Sequence, residues 1–468
     1  MPRHAARRSL VLIPAPLVLL AGHAAAAERG PWTGSSDEVR ALVSEVMADA
    51  ETRSSLLASG STAGYDTGKG KFFLASDDGA WRLNISGYMQ VRYYLNFRDD
   101  NGGDEDFESG FENRRTRLIL DGKIATNVFY KIQSDFSRST GVFGLLDAYG
   151  GYKWDNGLSI QFGQFKLPFL REELVSASLQ LAADRSLTNV IFSQTRSQGV
   201  MLTYEQQDWR AMLAFSDGLN SQNSQVGTNS NAGAASGGIG FFRDGFTRGG
   251  GESDWCITGR FEWKPAGNWD QFKDFTSMPG NEFALLLGVA GTVEQSDQNL
   301  VAVGPDGLLA TPDDLQGDTT LGGWTADLSL EGDGWNFYAA AIGHHVSNNL
   351  SVTATSAPAD NSFDDYGVVV QGGIFIPNTN WELFGRYDVS IADSDRTGPG
   401  STLDDDFSTV TFGANYYLSG HAAKFTMDLQ WFLDDGMVLS GPQTSIGYFQ
   451  DLTDENEITL RFQFQFMF

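Results

Sequence analysis

The final eleven residues alternate without a break. Ile458, Leu460, Phe462, Phe464, Phe466 and Phe468 are apolar, and Thr459, Arg461, Gln463, Gln465 and Met467 stand between them. Successive side chains of a strand point to opposite faces, so this segment has one oily face and one mostly polar face. In water such an edge, studded with phenylalanine, invites aggregation. Closed into a barrel in an outer membrane, the same segment is a stave with its Phe side against lipid.

The amino-terminus supplies a route to that membrane. Arg3, Arg7 and Arg8 form a basic region ahead of the apolar stretch Leu10 to Ala21, which Pro14 and Pro16 interrupt. Small residues at Ala24 to Ala27 offer a cleavage site before Glu28. This is the pattern of a secretory signal peptide over 1–27, too short and too broken for a stable span. No other stretch approaches the roughly 18 apolar residues of a membrane helix.

Charge excludes one class of partner. The formal net charge is −27; removal of the three leader arginines takes it to about −30. Nucleic acid is not a partner on that balance. Much of the acid lies between strands, at Asp99 to Asp106, Asp404 to Asp406 and Asp451 to Glu457. None of these runs has calcium-loop spacing, so they read as solvated loops, and no metal or cofactor is expected. Cys256 is the only cysteine, which leaves no intrachain disulfide; strand parity puts it on an inner face as an unreactive thiol.

Ser35 to Ser59 differs from everything after it. Ser35 and Glu38 make a capping box, and Val39, Val43, Val46, Ala50 and Leu57 fall on a 3–4 spacing. A short periplasmic helix is expected here, a coiled coil that associates three chains, with a lone helix at the barrel base or a disordered linker as the alternatives. Gly60 to Gly70 reads as a flexible connector, which sets the domains at 28–70 and 71–468.

From Trp81 onward the period is two. The first strand shows Leu83, Ile85, Met89, Val91, Tyr93 and Leu95 on one face and Arg82, Asn84, Gln90, Arg92 and Asn96 on the other. The pattern recurs at 113–124, 127–137, 146–154, 158–166, 198–205, 209–217, 254–264, 281–293, 320–331, 334–345, 365–376, 380–391, 408–418, 423–433 and 456–468. The expected fold is all-β: a transmembrane antiparallel barrel of about 16 strands, an even number as such barrels require. Short links at 125–126, 155–157, 206–208, 332–333, 377–379 and 419–422 alternate with long ones, as periplasmic turns alternate with outer loops. The link at 265–280 is the one long exception among the turns.

A pore needs a narrow place. The segment 167–197 begins Leu167-Pro168-Phe169 and carries Arg171, Glu172, Glu173, Asp184, Arg185 and Arg196 around an apolar middle, Leu174 to Leu181. That middle suits packing inside a barrel, so the segment reads as an inward constriction loop. Anion passage asks for cations on water-facing sides of staves. Parity supplies Arg82, Arg92, Arg115, Arg117, Lys123, Lys131 and Arg386, with acids such as Asp121, Asp135, Asp147 and Asp388 among them. The mixture fits either an anion ladder or ion pairs that stiffen the wall. Arg114 breaks parity; it either snorkels to lipid headgroups or turns inward at a bulge. His344 and His345 are adjacent, so their rings point to opposite faces and cannot share a metal. No catalytic constellation stands out, and the chain does not read as an enzyme.

Several of these segments resemble the phosphate- and polyphosphate-selective porins of the O and P type. They are Gly163-Gln164-Phe165-Lys166-Leu167-Pro168-Phe169, Asp184-Arg185-Ser186, Gly87-Tyr88-Met89-Gln90-Val91-Arg92-Tyr93 and Arg114-Arg115-Thr116-Arg117-Leu118. Asp147-Ala148-Tyr149, the stretch Trp381 to Asp388 and the stretch Gly413 to Leu418 with Lys424 add to the likeness. The resemblance implies a sixteen-stranded barrel, usually a homotrimer, through which small anions such as phosphate diffuse passively. It also implies that Arg114, Arg115 and Arg117 belong to an arginine pathway. The expected partners are outer-membrane lipid and the barrel assembly machinery, the latter through the terminal Phe468. A barrel plugged by its own loops and serving as a scaffold or surface binder is the competing function.

Overall fold

The computed structural model describes residues 44–45, 61–98 except 69, 107–137, 143–218, 221, 223, 253–302, 315–350, 362–393, 406–434 and 457–468. The signal peptide falls outside these residues, as does the expected helix at 35–59 apart from Ser44 and Glu45. Most of the long link between 218 and 253, the acidic runs 99–106 and 404–405 and nearly all of 451–457 fall outside them too.

Alternation becomes strand wherever it was long enough to cross a bilayer. Two short strands come first, β1 (Ser61–Asp66) and β2 (Lys71–Ser76). The wall follows: β3 (Arg82–Phe97), β4 (Phe107–Ile124), β5 (Val128–Asp135), β6 (Gly144–Lys153), β7 (Leu158–Lys166), β8 (Arg196–Glu205), β9 (Trp209–Ser216) and β10 (Ser253–Ala266). It continues through β11 (Ala284–Ala302), β12 (Leu315–Gly332), β13 (Trp335–Leu350), β14 (Ser362–Phe375), β15 (Trp381–Ile391), β16 (Asp406–Ser419), β17 (Ala423–Phe432) and β18 (Ile458–Met467). From β3 on, each strand pairs antiparallel with the next, and β18 returns to β3 through Ile458↔Phe97, Phe462↔Tyr93 and Phe466↔Met89. The barrel of 16 strands, β3 to β18, is therefore closed and has no free edge. The carboxy-terminal residue completes the seam: the Phe468 and Gly87 amides each donate to the other's carbonyl, at 3.0 and 2.9 Å.

The outward faces carry the oily positions. Phe412, Leu418, Ile374, Phe162 and Phe215 are more than half exposed, and Phe464, Phe466 and Phe468 nearly half. On the inner faces stand Arg, Asp, Gln and Thr. This is the reverse of a water-soluble sheet, and hydrocarbon is the solvent that makes it stable.

Gly60 to Gly70 is not a plain connector. Ser61–Asp66 pairs with Lys71–Ser76, and Phe72 and Leu74 of β2 stand opposite Ile85 and Leu83 of β3. The outward positions of the hairpin are apolar, and the Tyr65 and Phe72 rings lie 5.0 Å apart. The barrel unit thus begins at Ser61. The apolar content of Ala63 and Tyr65 was too short an alternation to stand out in the sequence.

One turn glycine is indispensable. Gly157 has φ +91°, and a Cβ there would lie 2.2 Å from the Glu205 carbonyl oxygen. Gly157→Ala is expected to cost about 1 kcal/mol or more, read as a lower temperature for loss of the heat-modifiable folded band on a gel.

Candidate functional site

The loop between β7 and β8 lies inside the barrel. It contains helix α1 (Arg171–Leu174), a 3-10 turn at Ala177–Leu179 and helix α2 (Leu187–Phe192). Ser186 caps α2, its Oγ accepting from the Asn189 amide at 2.9 Å. Phe169, Leu170, Leu187, Ile191 and Phe192 are buried against Leu321, Ile342, Val346, Phe363, Phe407 and Phe432. These last six occupy inner positions of β12, β13, β14, β16 and β17. Gly367 of β14 makes room for the helix: a Cβ there would meet Thr188 at 2.6 Å and Phe192 at 2.9 Å. The apolar middle packs likewise, Val175, Leu181 and Ala182 against Tyr338, Val369 and Phe384.

Charge fixes the loop as firmly as packing does. Asp184 is buried among four arginines. Its Oδ2 accepts from Arg92 Nη1 at 2.6 Å and its Oδ1 from Arg115 Nη2 at 2.7 Å. Arg114 Nη2 lies 3.2 Å and Arg461 Nη1 3.8 Å from the carboxylate. Burial alone would raise the Asp184 pKa, but Arg114, Arg92, Arg115 and Arg461 outweigh it and hold the carboxyl well below its usual range. Arg461 in turn grips Asp428 with two bonds of 2.6 and 3.0 Å. Arg386 donates to the Asp184 carbonyl at 2.9 Å and lies 3.4 Å from Asp388 and 3.9 Å from Glu172.

Arg114 and Arg115 reach Asp184 together because the ladder slips. Gln90 pairs with Arg115 and Val91 with Asn113, so Arg114 sits in a β-bulge. The bulge turns it inward, and both arginines are buried. Of the two sequence alternatives for Arg114, the inward one is realised.

The remaining loop charges serve the loop itself. Glu172 accepts from the Ser186 amide at 2.7 Å and its hydroxyl at 2.5 Å. Arg185 donates to the carbonyls of Glu172 and Val175 at 3.0 and 2.9 Å and lies 3.3 Å from Glu173. Arg171 points the other way, toward a second inward segment. The long link after β10, 267–283, buries Phe272 and Phe275. Arg171 stacks 5.6 and 5.3 Å from these rings and donates to the Phe272 carbonyl at 3.1 Å. The exceptional length of that turn is thus explained: it rises from the periplasmic end to meet the constriction loop.

These two segments cover only part of the wall. On β10 to β18 the inner residues are almost all buried, Thr258, Glu262, Thr411, Thr459 and Gln463 among them. On β4 to β9 many inner residues stay partly exposed, including Arg117, Lys131, Tyr149, Gln161, Met201 and Arg210. A cavity of about 240 Å³ opens there beside the loop, with Arg117, Lys131, Lys166, Arg196 and Asp147 among its lining. The accessible conduit is therefore eccentric, running along β4 to β9.

The candidate residues from the sequence divide accordingly. Arg92, Arg114, Arg115 and Arg386 are buried around the loop anchor. Arg117 and Lys131 line the conduit, Arg117 donating through Nε to Asp135 at 2.7 Å and through Nη1 to the Tyr88 hydroxyl at 2.8 Å, and Lys131 donating to Asp147 at 2.7 Å. Arg82 lies toward the periplasmic end, 2.7 Å from Asp66, and pairs in register with Lys123. Sequence reasoning did not include Lys166 and Arg196 in the pathway. They flank the constriction loop, and the Gly163 to Phe169 motif was the signal that pointed at one of them. His344 is buried 5.4 Å from Phe169 and 5.2 Å from Phe192, while His345 faces out beside Asp364 at 2.8 Å.

Residues 85–240 match the family model of phosphate-selective porin O and P. The match spans about a third of the chain, and together with the barrel it marks an outer-membrane diffusion channel. Its barrel is similar to the outer-membrane channel DcaP of Acinetobacter baumannii, with a TM-score of 0.52, 16% identity, and coverage of 84% of this chain and 99% of that one. It is similar to OmpT of Vibrio cholerae, an outer membrane protein in trimer form, with a TM-score of 0.51, 11% identity, and coverage of 82% and 99%. The anion-selective porin from Comamonas acidovorans gives a TM-score of 0.51, 9% identity, and coverage of 82% and 99%. At these identities the structures speak to fold alone. No curated protein matches the chain. A porin of this build is a diffusion channel, and its inward loop belongs to the wall of the pore.

Proposed function

We propose that this porin passes small hydrophilic solutes down their gradient with a preference for anions, along the β4 to β9 side of the lumen. The observation that carries the reading is the lining of the conduit: four cations, Arg117, Lys131, Lys166 and Arg196, against one carboxylate, Asp147. In a narrow tube fixed positive charge replaces part of the hydration an anion leaves behind. The deep arginines Arg92, Arg114, Arg115 and Arg386 act as positioning residues that seat the constriction loop, and add positive potential from behind it. Arg82 and Lys123 extend the same sign toward the periplasmic mouth.

The partly exposed inner wall along β4 to β9 favours a channel over a plugged scaffold, since a sealed barrel would bury that half of the wall as it buries the other. Association into a trimer and recognition of the Phe468 strand by assembly machinery belong to the same reading. They are supported by the family match and by the apolar terminal stave. The test is a reversal potential in planar bilayers under a potassium chloride gradient at low salt. The expected sign is that of chloride passing ahead of potassium. A potassium-selective potential would overturn the anion reading.

A further inference from the structure

The conduit has a second character besides charge. Lys131 stands directly opposite Tyr149 in the ladder, and Phe129 two residues away lies opposite Gly151. The Phe129 ring occupies the space over Gly151, where a Cβ would meet it at 2.4 Å. Phe129 and Tyr149 meet edge to face at 6.4 Å, and Tyr149 meets Phe165 in the same way at 6.3 Å. An aromatic row thus runs across β5, β6 and β7 on the inner face. Leu174 and Met201 complete the apolar part of the cavity wall.

The charge beside this row is modest once its pairs are considered. Arg117 is held by Asp135, Lys131 and Arg196 share Asp147, and Lys166 lies 3.6 Å from Glu173, which Arg185 also holds. Only a small positive excess remains. Lys131, with 29% of its side chain exposed, is the most accessible of the four lining cations. A doubly charged oxyanion stripped of water would need more free donors than this. A singly charged anion with a flat apolar body meets both halves of the wall, its carboxylate at Lys131 and its body on Tyr149 and Met201.

We propose that the porin's preferred solutes are small aromatic monocarboxylates rather than inorganic phosphate. The proposal rests on the anion reading above and names the anion class within it. The cavity of about 240 Å³ has room for a single ring against this wall.

The experiment compares benzoate, acetate and phosphate as sodium salts against chloride in bilayers, from reversal potentials. Benzoate is expected to exceed acetate about threefold or more, although free diffusion favours the smaller ion, and to exceed phosphate by more. Met201→Gln and, separately, Tyr149→Thr are expected to bring the benzoate-to-acetate ratio down to one or below. Phosphate ahead of benzoate, or a ratio unmoved in both variants, would overturn the monocarboxylate proposal and leave an anion channel standing. Absence of any anion preference would instead remove the reading beneath it.

Discussion

Asp184→Ala is expected to unseat the constriction loop and enlarge the single-channel current. The carboxylate is the shared counter-charge of Arg92, Arg115, Arg114 and Arg461, with its nearest contact at 2.6 Å. Removing one partner of a buried pair costs about 3–5 kcal/mol, because the remaining charges are left without compensation. Here the cost falls on the seated loop rather than on the barrel, whose ladder closes independently through β18 and β3. The folded band on a heat-modifiability gel should persist, while conductance and current noise rise. Protonation offers a milder form of the same test. The Asp184 pKa is depressed in the folded chain, so its stabilising charge is present above the ordinary carboxylate pKa and is lost only as pH falls through the depressed value. Between about pH 8 and about pH 5 this anchor should leave the current unchanged.

The second large effect is expected at Lys131. Lys131→Glu changes the conduit by two charges at the most accessible of the four cations that line the cavity. At about 6 Å in a water-like dielectric each unit charge acts on a passing monovalent ion with roughly 0.7 kcal/mol. Anion and cation respond in opposite senses, so the anion-over-cation permeability ratio should fall about tenfold or more. The measurement belongs at about 0.1 M salt, where screening extends over roughly 10 Å rather than the 3 Å of molar salt. Lys131→Gln should give about half the change in free energy. Arg115→Gln, at a residue locked 2.7 Å from Asp184, should move selectivity less than either.

The strands were legible because a period of two is a local property, and every expected wall strand forms. So was the inward loop, since Leu174 to Leu181 had no business in open water. Parity assigns a face but not what lies against it. Arg92 and Arg117 read alike in the sequence, yet one is buried at a loop anchor and the other borders the conduit. A signal for this was present. Ile342, Val346, Phe363, Phe407 and Phe432 are apolar residues at lumen-facing positions, and they demand a packing partner. They mark the half of the wall that the two inward segments cover. The bulge at Arg114 was visible as a broken alternation, whereas the β1–β2 hairpin was too short for its pattern to speak.

The central claim, an eccentric conduit along β4 to β9, is most directly tested by thiol access. Cys256 is buried, and Cys256→Ser gives a background for single cysteines. Lys131→Cys in that background should lose most of its current when a bulky water-soluble methanethiosulfonate reagent is added, and Thr411→Cys, beneath the loop on β16, should keep it. Block at 411 with an unaffected current at 131 would contradict the account.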